Sequence, residues 1–112
     1  MLFEIVETEE AIQDVVDLAQ YIIVELNNPK AAHDFIKLYE QEVCALIPFP
    51  MKYKGIGIEY HNCMIRMKSF GSYNLFYFVD VLQNKIVILR LLKNRQNWQY
   101  IMNAHSEYRF DI

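Results

Sequence analysis

KIVILRLLKNRQNW, residues 85–98, opens as a β-strand and closes as a polar tail. Ile86, Val87, Ile88 and Leu89 form the short, largely β-branched run that suits a buried, pleated surface. Arg90 interrupts the run, and Lys93, Arg95 and Trp98 then follow within six residues. A lone guanidinium between Ile88 and Leu92 is costly in a core, so Arg90 is expected to reach a carboxylate such as Asp80 or the open sheet surface. The basic end has two readings: solubilising charges, or groups carried by the strand to a binding site.

Working outward, residues 73–81 and 63–69 read as two further strands, separated from the first and from each other by the turns at 82–85 and at Gly71-Ser72. In residues 63–69, Cys63, Ile65 and Met67 alternate with Met64, Arg66 and Lys68. The three strands form an antiparallel meander. Residues 48–62, PFPMKYKGIGIEYHN, hold two prolines and two of the three glycines and read as a long irregular connection. Upstream, the period changes to helical. Ile12, Val15, Val16, Ala19, Ile22, Ile23 and Leu26 make one stripe, with Thr8 as N-cap and Glu9 and Glu10 in the first turn. Asn28 and Pro29 start a second helix carried by Ala32, Phe35, Ile36, Tyr39, Val43 and Leu46. Two helices of roughly 18 residues joined so tightly fold back as an antiparallel hairpin. Residues 2–7 are β-compatible, and 97–104 read as a short terminal helix turning Trp98, Ile101 and Met102 inward. The fold class is therefore α+β: an N-terminal strand, a two-helix hairpin on a mainly antiparallel sheet and a short C-terminal helix.

A chain of 112 residues, 54% apolar, is expected to form a single domain over residues 1–112 with a substantial core. Cys44 and Cys63 have no CxxC spacing, which fits neither a disulfide framework nor zinc, and a reducing cytoplasm suits them. Cys44, beside Val43 and Leu46, reads as a buried thiol. MLFEIVETEE has acids where a secretory signal has bases, and no apolar run is long enough to span a membrane. The net charge of −3 hides a division: residues 1–51 hold 2 basic and 10 acidic residues, giving −8, and residues 52–112 hold 9 and 4, giving +5. Either the C-terminal half faces a polyanion or acidic partner, or an acidic hairpin neutralises a basic sheet.

RMKSFGSYNLFYFVD (66–80) and VILRLLKNRQNW (87–98) together resemble the Arg strand, the tyrosine-led strand and the Arg-rich, Trp-closed ending of the RelE/ParE superfamily of bacterial toxins. The plasmid-stabilisation, ParE-like branch is nearest. The second motif is the more specific, because Arg90, Arg95 and Trp98 keep the family's relative spacing; AIQDVVDLAQYI (11–22) and NPKAAHDF (28–35) are similar to its two amphipathic helices. The resemblance implies a cytoplasmic toxin of a type II toxin–antitoxin pair, neutralised by a cognate antitoxin. RelE-like members act on the ribosome as mRNA interferases, whereas ParE-like members inhibit DNA gyrase. A non-toxic, antitoxin-binding derivative of the fold is the alternative.

RNA cleavage needs a 2′-hydroxyl deprotonated, phosphorane charge stabilised and a leaving oxygen protonated. For a metal-independent endoribonuclease of the RelE type, the matching residues are Arg66, Lys68, Arg95 and Tyr100. Asn74 stands where the family places an arginine, which removes a fixed guanidinium from a phosphate. Lys93 stands near a position that some branches give to histidine, and its ammonium suits a clamp better than a base. Lys52 and Lys54 around Tyr53, with Lys93 and Arg95, are the candidates for touching nucleic acid or a partner. Taken alone, Arg66 and Lys68 read as the solvated face of a half-buried strand, and Trp98 as a core plug. His33, His61 and His105 have no ligand spacing and no acidic relay in sequence, so no metal or cofactor is expected.

Overall fold

The computed structural model describes residues 2–111. Strand β1 (Glu4–Glu7) leads through Thr8 into helix α1 (Glu9–Val24), and α2 (Pro29–Cys44) follows; four strands and a helix come next, β2 (Gly55–Tyr60), β3 (Cys63–Phe70), β4 (Tyr73–Asp80), β5 (Lys85–Lys93) and α3 (Trp98–Ala104). The five strands form one sheet in the order β1-β5-β4-β3-β2, antiparallel except where β1 runs parallel to β5. The α+β class and the hairpin stand as the sequence implies. Each hairpin helix has 16 residues.

The helix starts are set by side-chain caps. Thr8 Oγ1 accepts from Ala11 N–H at 2.9 Å and donates to the Leu89 carbonyl at 2.9 Å, so a wholly buried hydroxyl starts α1 and ties it to β5. Asn28 Oδ1 accepts from Ala31 N–H ahead of Pro29, and Asn97 caps α3 through Tyr100 N–H.

Both faces of the sheet are covered, which explains why β4 is buried from Asn74 to Val79. Leu75, Tyr77, Ile86, Ile88 and Leu91 face the hairpin through Ala11, Ala19, Ile22, Phe35 and Tyr39. Phe76, Phe78, Val87, Leu89 and Leu92 face the opposite way, toward Met102, Trp98 and Tyr108. Trp98 does plug the sheet, with its ring 5.5 Å from that of Phe76.

Three expectations are corrected. The connection 48–62 contains edge strand β2: Ile56, Ile58 and Tyr60 turn inward between exposed Gly55, Gly57 and Glu59. Glycine's weak β-propensity masks that alternation, and Gly57, at φ +82°, sits where the register with β3 slips between Gly55 and Glu59. The buried side of α1 runs through Ala11, Ala19 and Ile22 with Val15 and Leu18 beside them, while Ile12, Val16, Ile23 and Leu26 are exposed. Alanine lets the helix lie close to its neighbours, so the buried arc is rotated from the one the larger side chains indicate. Cys44 is exposed, because it ends α2 one position past the buried Val43.

Candidate functional site

The basic residues of the C-terminal half fall into separate groups. Arg66 and Lys68 project from β3 toward the hairpin side, opposite Tyr77 and Leu75 of β4. Arg66 Nη1 donates to the Met51 carbonyl at 3.1 Å and to the Tyr53 carbonyl at 2.6 Å. Tyr77 adds a third clamp, its hydroxyl donating to the Pro50 carbonyl at 2.6 Å. Burial pushes the Tyr77 phenol up to about 12. Together these bonds press the segment between α2 and β2 onto the sheet.

Lys68 is 5% exposed. Its ammonium donates to the Glu42 carbonyl at 2.9 Å, lies 3.4 Å from Glu42 Oε1 and sits 5.4 Å from the centre of the Tyr53 ring. Lys68 is buried and Arg66 half-buried beneath the 51–53 segment, which corrects the reading of both as a solvated face. A charge that alternates outward along a strand still ends inside when a helix and a loop lie over that face.

Lys52 and Lys54 are exposed on either side of Tyr53, with the Lys52 ammonium 5.5 Å from the ring centre. Asn74 is buried, and its Oδ1 accepts from Ser69 Oγ at 2.7 Å. It is therefore a link between β3 and β4. Tyr100 is 70% exposed on α3, and α3 covers the sheet face opposite to Arg66 and Lys68. Arg95 lies in the turn between β5 and α3. The four residues matched to an RNA-cleaving set are thus divided between two faces and a turn.

Lys93 and Arg95 do share a cleft. Between α1 and β5 lies a cavity of about 480 Å³ lined by Asp17, Leu18, Tyr21, Lys93, Arg95 and Gln96, with Asp14, Arg90 and Leu91 as its floor. The turn under it is braced. Lys93 N–H donates to Gln96 Oε1 at 2.8 Å, Gln96 N–H to the Lys93 carbonyl at 3.0 Å, and Asn94 N–H to the Ser72 carbonyl at 2.9 Å. The Lys93 ammonium stands 4.9 Å from the centre of the half-exposed Tyr21 ring.

The floor explains Arg90. Its Nε and Nη2 donate to the two oxygens of Asp14 at 2.7 and 2.9 Å, and Asp14 Oδ2 also accepts from Leu91 N–H at 3.0 Å. The partner is Asp14 of α1, not Asp80. Past β1 the outer edge of β5 has no strand beside it among the described residues, and Thr8 and Asp14 satisfy its backbone instead. Hydrogen bonds donated to the Asp14 carboxylate raise the Arg90 pKa against the opposing effect of burial. Asp14, Tyr21 and Gln96 escaped the sequence reading. Asp14 alone left a trace, as an acid beside the apolar Val15 and Leu18 on the buried side of its helix.

The histidines are placed apart. His61 stacks on Tyr60 at 4.1 Å between centroids, and His33 is exposed on α2. His105 does meet an acid, which the sequence spacing conceals: its Nε2 is 3.7 Å from Glu10 Oε2. Glu10 also accepts from the backbone and guanidinium of Arg109. Burial works to raise the Glu10 pKa, but the Arg109 hydrogen bonds and charge hold it below the usual value. Among the described residues no three His, Cys, Asp or Glu side chains gather as a metal site, and no helix is long and apolar enough to cross a membrane.

Comparison with known proteins adds one match. The family described as "ParE toxin of type II toxin-antitoxin system, parDE" matches residues 5–98, which run from the second residue of β1 to the first residue of α3. No curated protein matches the chain at a significant level.

Proposed function

The chain belongs to the ParE toxin family of type II toxin–antitoxin systems, and from that premise we propose that it stops growth by poisoning DNA gyrase, without cutting RNA. One observation carries the reading. Arg66 and Lys68, the cations an RNA-cleaving site would need on its central strands, are engaged with the carbonyls of Met51, Tyr53 and Glu42 and with the Glu42 carboxylate. Cations that close a loop onto the sheet are not free to stabilise a phosphorane. The separation of Tyr100 from them and the structural role of Asn74 support the same conclusion.

In this reading the toxin acts in the cytoplasm, serves plasmid stabilisation and is silenced by a cognate antitoxin. The exposed Lys52, Lys54 and Arg95 and the half-buried Lys93 make the contacts to target or antitoxin. Purified chain added to a gyrase supercoiling assay tests it. Inhibited supercoiling or a trapped gyrase–DNA complex is expected; unaffected gyrase would overturn it.

A further inference from the structure

We infer that the furrow between α1 and β5 is a docking groove for a protein segment with a charge of one sign at each end, acidic over Lys93 and Arg95 and basic over Glu9 and Asp17. The inference concerns a partner surface and holds whatever the toxin's target.

The geometry begins with a shared floor. The cavity that contains Lys93 and Arg95 and a second one toward the start of α1 have Asp14, Asp17 and Arg90 in common, so they form one continuous furrow. Charges inside it cancel in part. Arg90 is held by Asp14 and Arg109 by Glu10. Among the described residues, no carboxylate stands within ion-pair distance of Lys93 or Arg95, and no cation within that distance of Glu9 or Asp17. What remains is a groove positive at the β5 end and negative along α1.

Its length follows from the helix. Glu9 and Tyr21 lie twelve residues apart on α1, which is about 18 Å at the helical rise. That length suits three turns of helix or a short extended segment. Leu18, Leu91 and the Tyr21 ring supply an apolar floor beneath the positive end. The braced turn at 93–96 fixes the backbone that carries the cations before a partner arrives, which lowers the ordering cost of binding.

A nucleic acid fits this groove poorly. Its phosphates repeat one charge at regular spacing, so a strand seated on Lys93 and Arg95 and continued along α1 meets Asp17 and Glu9. A second copy of the hairpin is disfavoured likewise, since the hairpin half of the chain carries −8. A protein segment can change sign along its length.

The test uses the full chain and three labelled probes in fluorescence anisotropy. These are an acetylated peptide with a Glu/Leu end and a Lys/Leu end, a peptide of the same composition with charges alternating, and a single-stranded oligonucleotide. The two-ended peptide should bind best. Binding should weaken about ten-fold in the Lys93→Gln/Arg95→Gln variant and several-fold in Glu9→Gln/Asp17→Asn. The second variant separates the partner classes, because a polyanion would bind more tightly once those acids are neutral. Equal binding of the alternating peptide, no binding of the two-ended one, or tighter oligonucleotide binding in Glu9→Gln/Asp17→Asn would overturn the inference. Lys37→Gln, exposed on α2 and outside the groove, reports any general loss of charge attraction.

Discussion

Lys68 Nζ donates to the carbonyl of Glu42 at 2.9 Å and faces the carboxylate of the same residue at 3.4 Å, so one buried ammonium closes the end of α2 onto β3. A lysine in this position is a structural tie. Lys68→Met is therefore expected to lose about 1–3 kcal/mol of stability, because it leaves the Glu42 carbonyl without its partner. Urea unfolding measures the loss. Growth inhibition should fall only as far as the folded fraction falls; abolished toxicity in a variant of unchanged stability would place Lys68 in the chemistry instead.

Arg66 is expected to behave in the same way by a different route. Arg66→Ala removes both bonds to the Met51 and Tyr53 carbonyls, which frees the segment before β2 while Tyr77 still holds Pro50. Amide hydrogen exchange should rise locally, near Met51 to Lys54 and at Met67, whose N–H donates to the Lys54 carbonyl. Protection in β4 and β5 should be unchanged. Exchange spread evenly over the sheet would argue against a local clamp.

The Asp14–Arg90 pair should be the most sensitive surface-to-core link. It is bidentate, largely buried and tied to the backbone of Leu91. Removing one partner leaves the other charge uncompensated, at about 3–5 kcal/mol, a large share of the ~5–15 kcal/mol that holds a domain folded. Arg90→Lys should recover little, since an ammonium cannot reproduce the guanidinium fork. Thermal melts of Asp14→Asn, Arg90→Lys and the double variant would show the coupling as non-additive losses; additive losses would contradict it.

Burial raises the phenol pKa of four tyrosines, Tyr39, Tyr73, Tyr77 and Tyr108, and so makes stability fall at alkaline pH. Burial pushes the hydroxyls of Tyr77 and Tyr108 up to about 12 from the ordinary 10.0. A raised folded pKa means that the folded state holds the proton more tightly than the unfolded chain. The contribution is therefore present in full below pH 10 and lost as pH rises from there toward 12. Stability should drop by roughly 2–3 kcal/mol per tyrosine across that window, read from urea midpoints at stepped pH. Tyr108→Phe should flatten the decline, and an unaltered slope would show that Tyr108 is not its source.

Much of the architecture is legible in the chain because caps and periods agree. Thr8, Asn28 and Pro29 mark their helix starts, and KIVILRLL is a strand on any reading. β2 is hidden because Gly55 and Gly57 occupy its outward positions, where a side chain would have shown the alternation. The site is less legible, and for a geometric reason. Arg90 visibly needs a carboxylate, but whether Asp14 or Asp80 supplies it depends on where β1 ends and leaves the edge of β5 open. Nor does sequence reveal that the carbonyls of Met51, Tyr53 and Glu42 satisfy the β3 cations, since a backbone group has no letter of its own. The pairing of Lys93 with Arg95, by contrast, can be read from their spacing in one turn.

The central claim is that this ParE-family toxin stops growth without cutting RNA. Pulse labelling of DNA and protein synthesis after induction, with mRNA 5′ ends mapped in the same cells, tests it most directly. DNA synthesis should fall first, with messages intact. Translation falling first, together with new 5′ ends inside coding regions, would contradict the account.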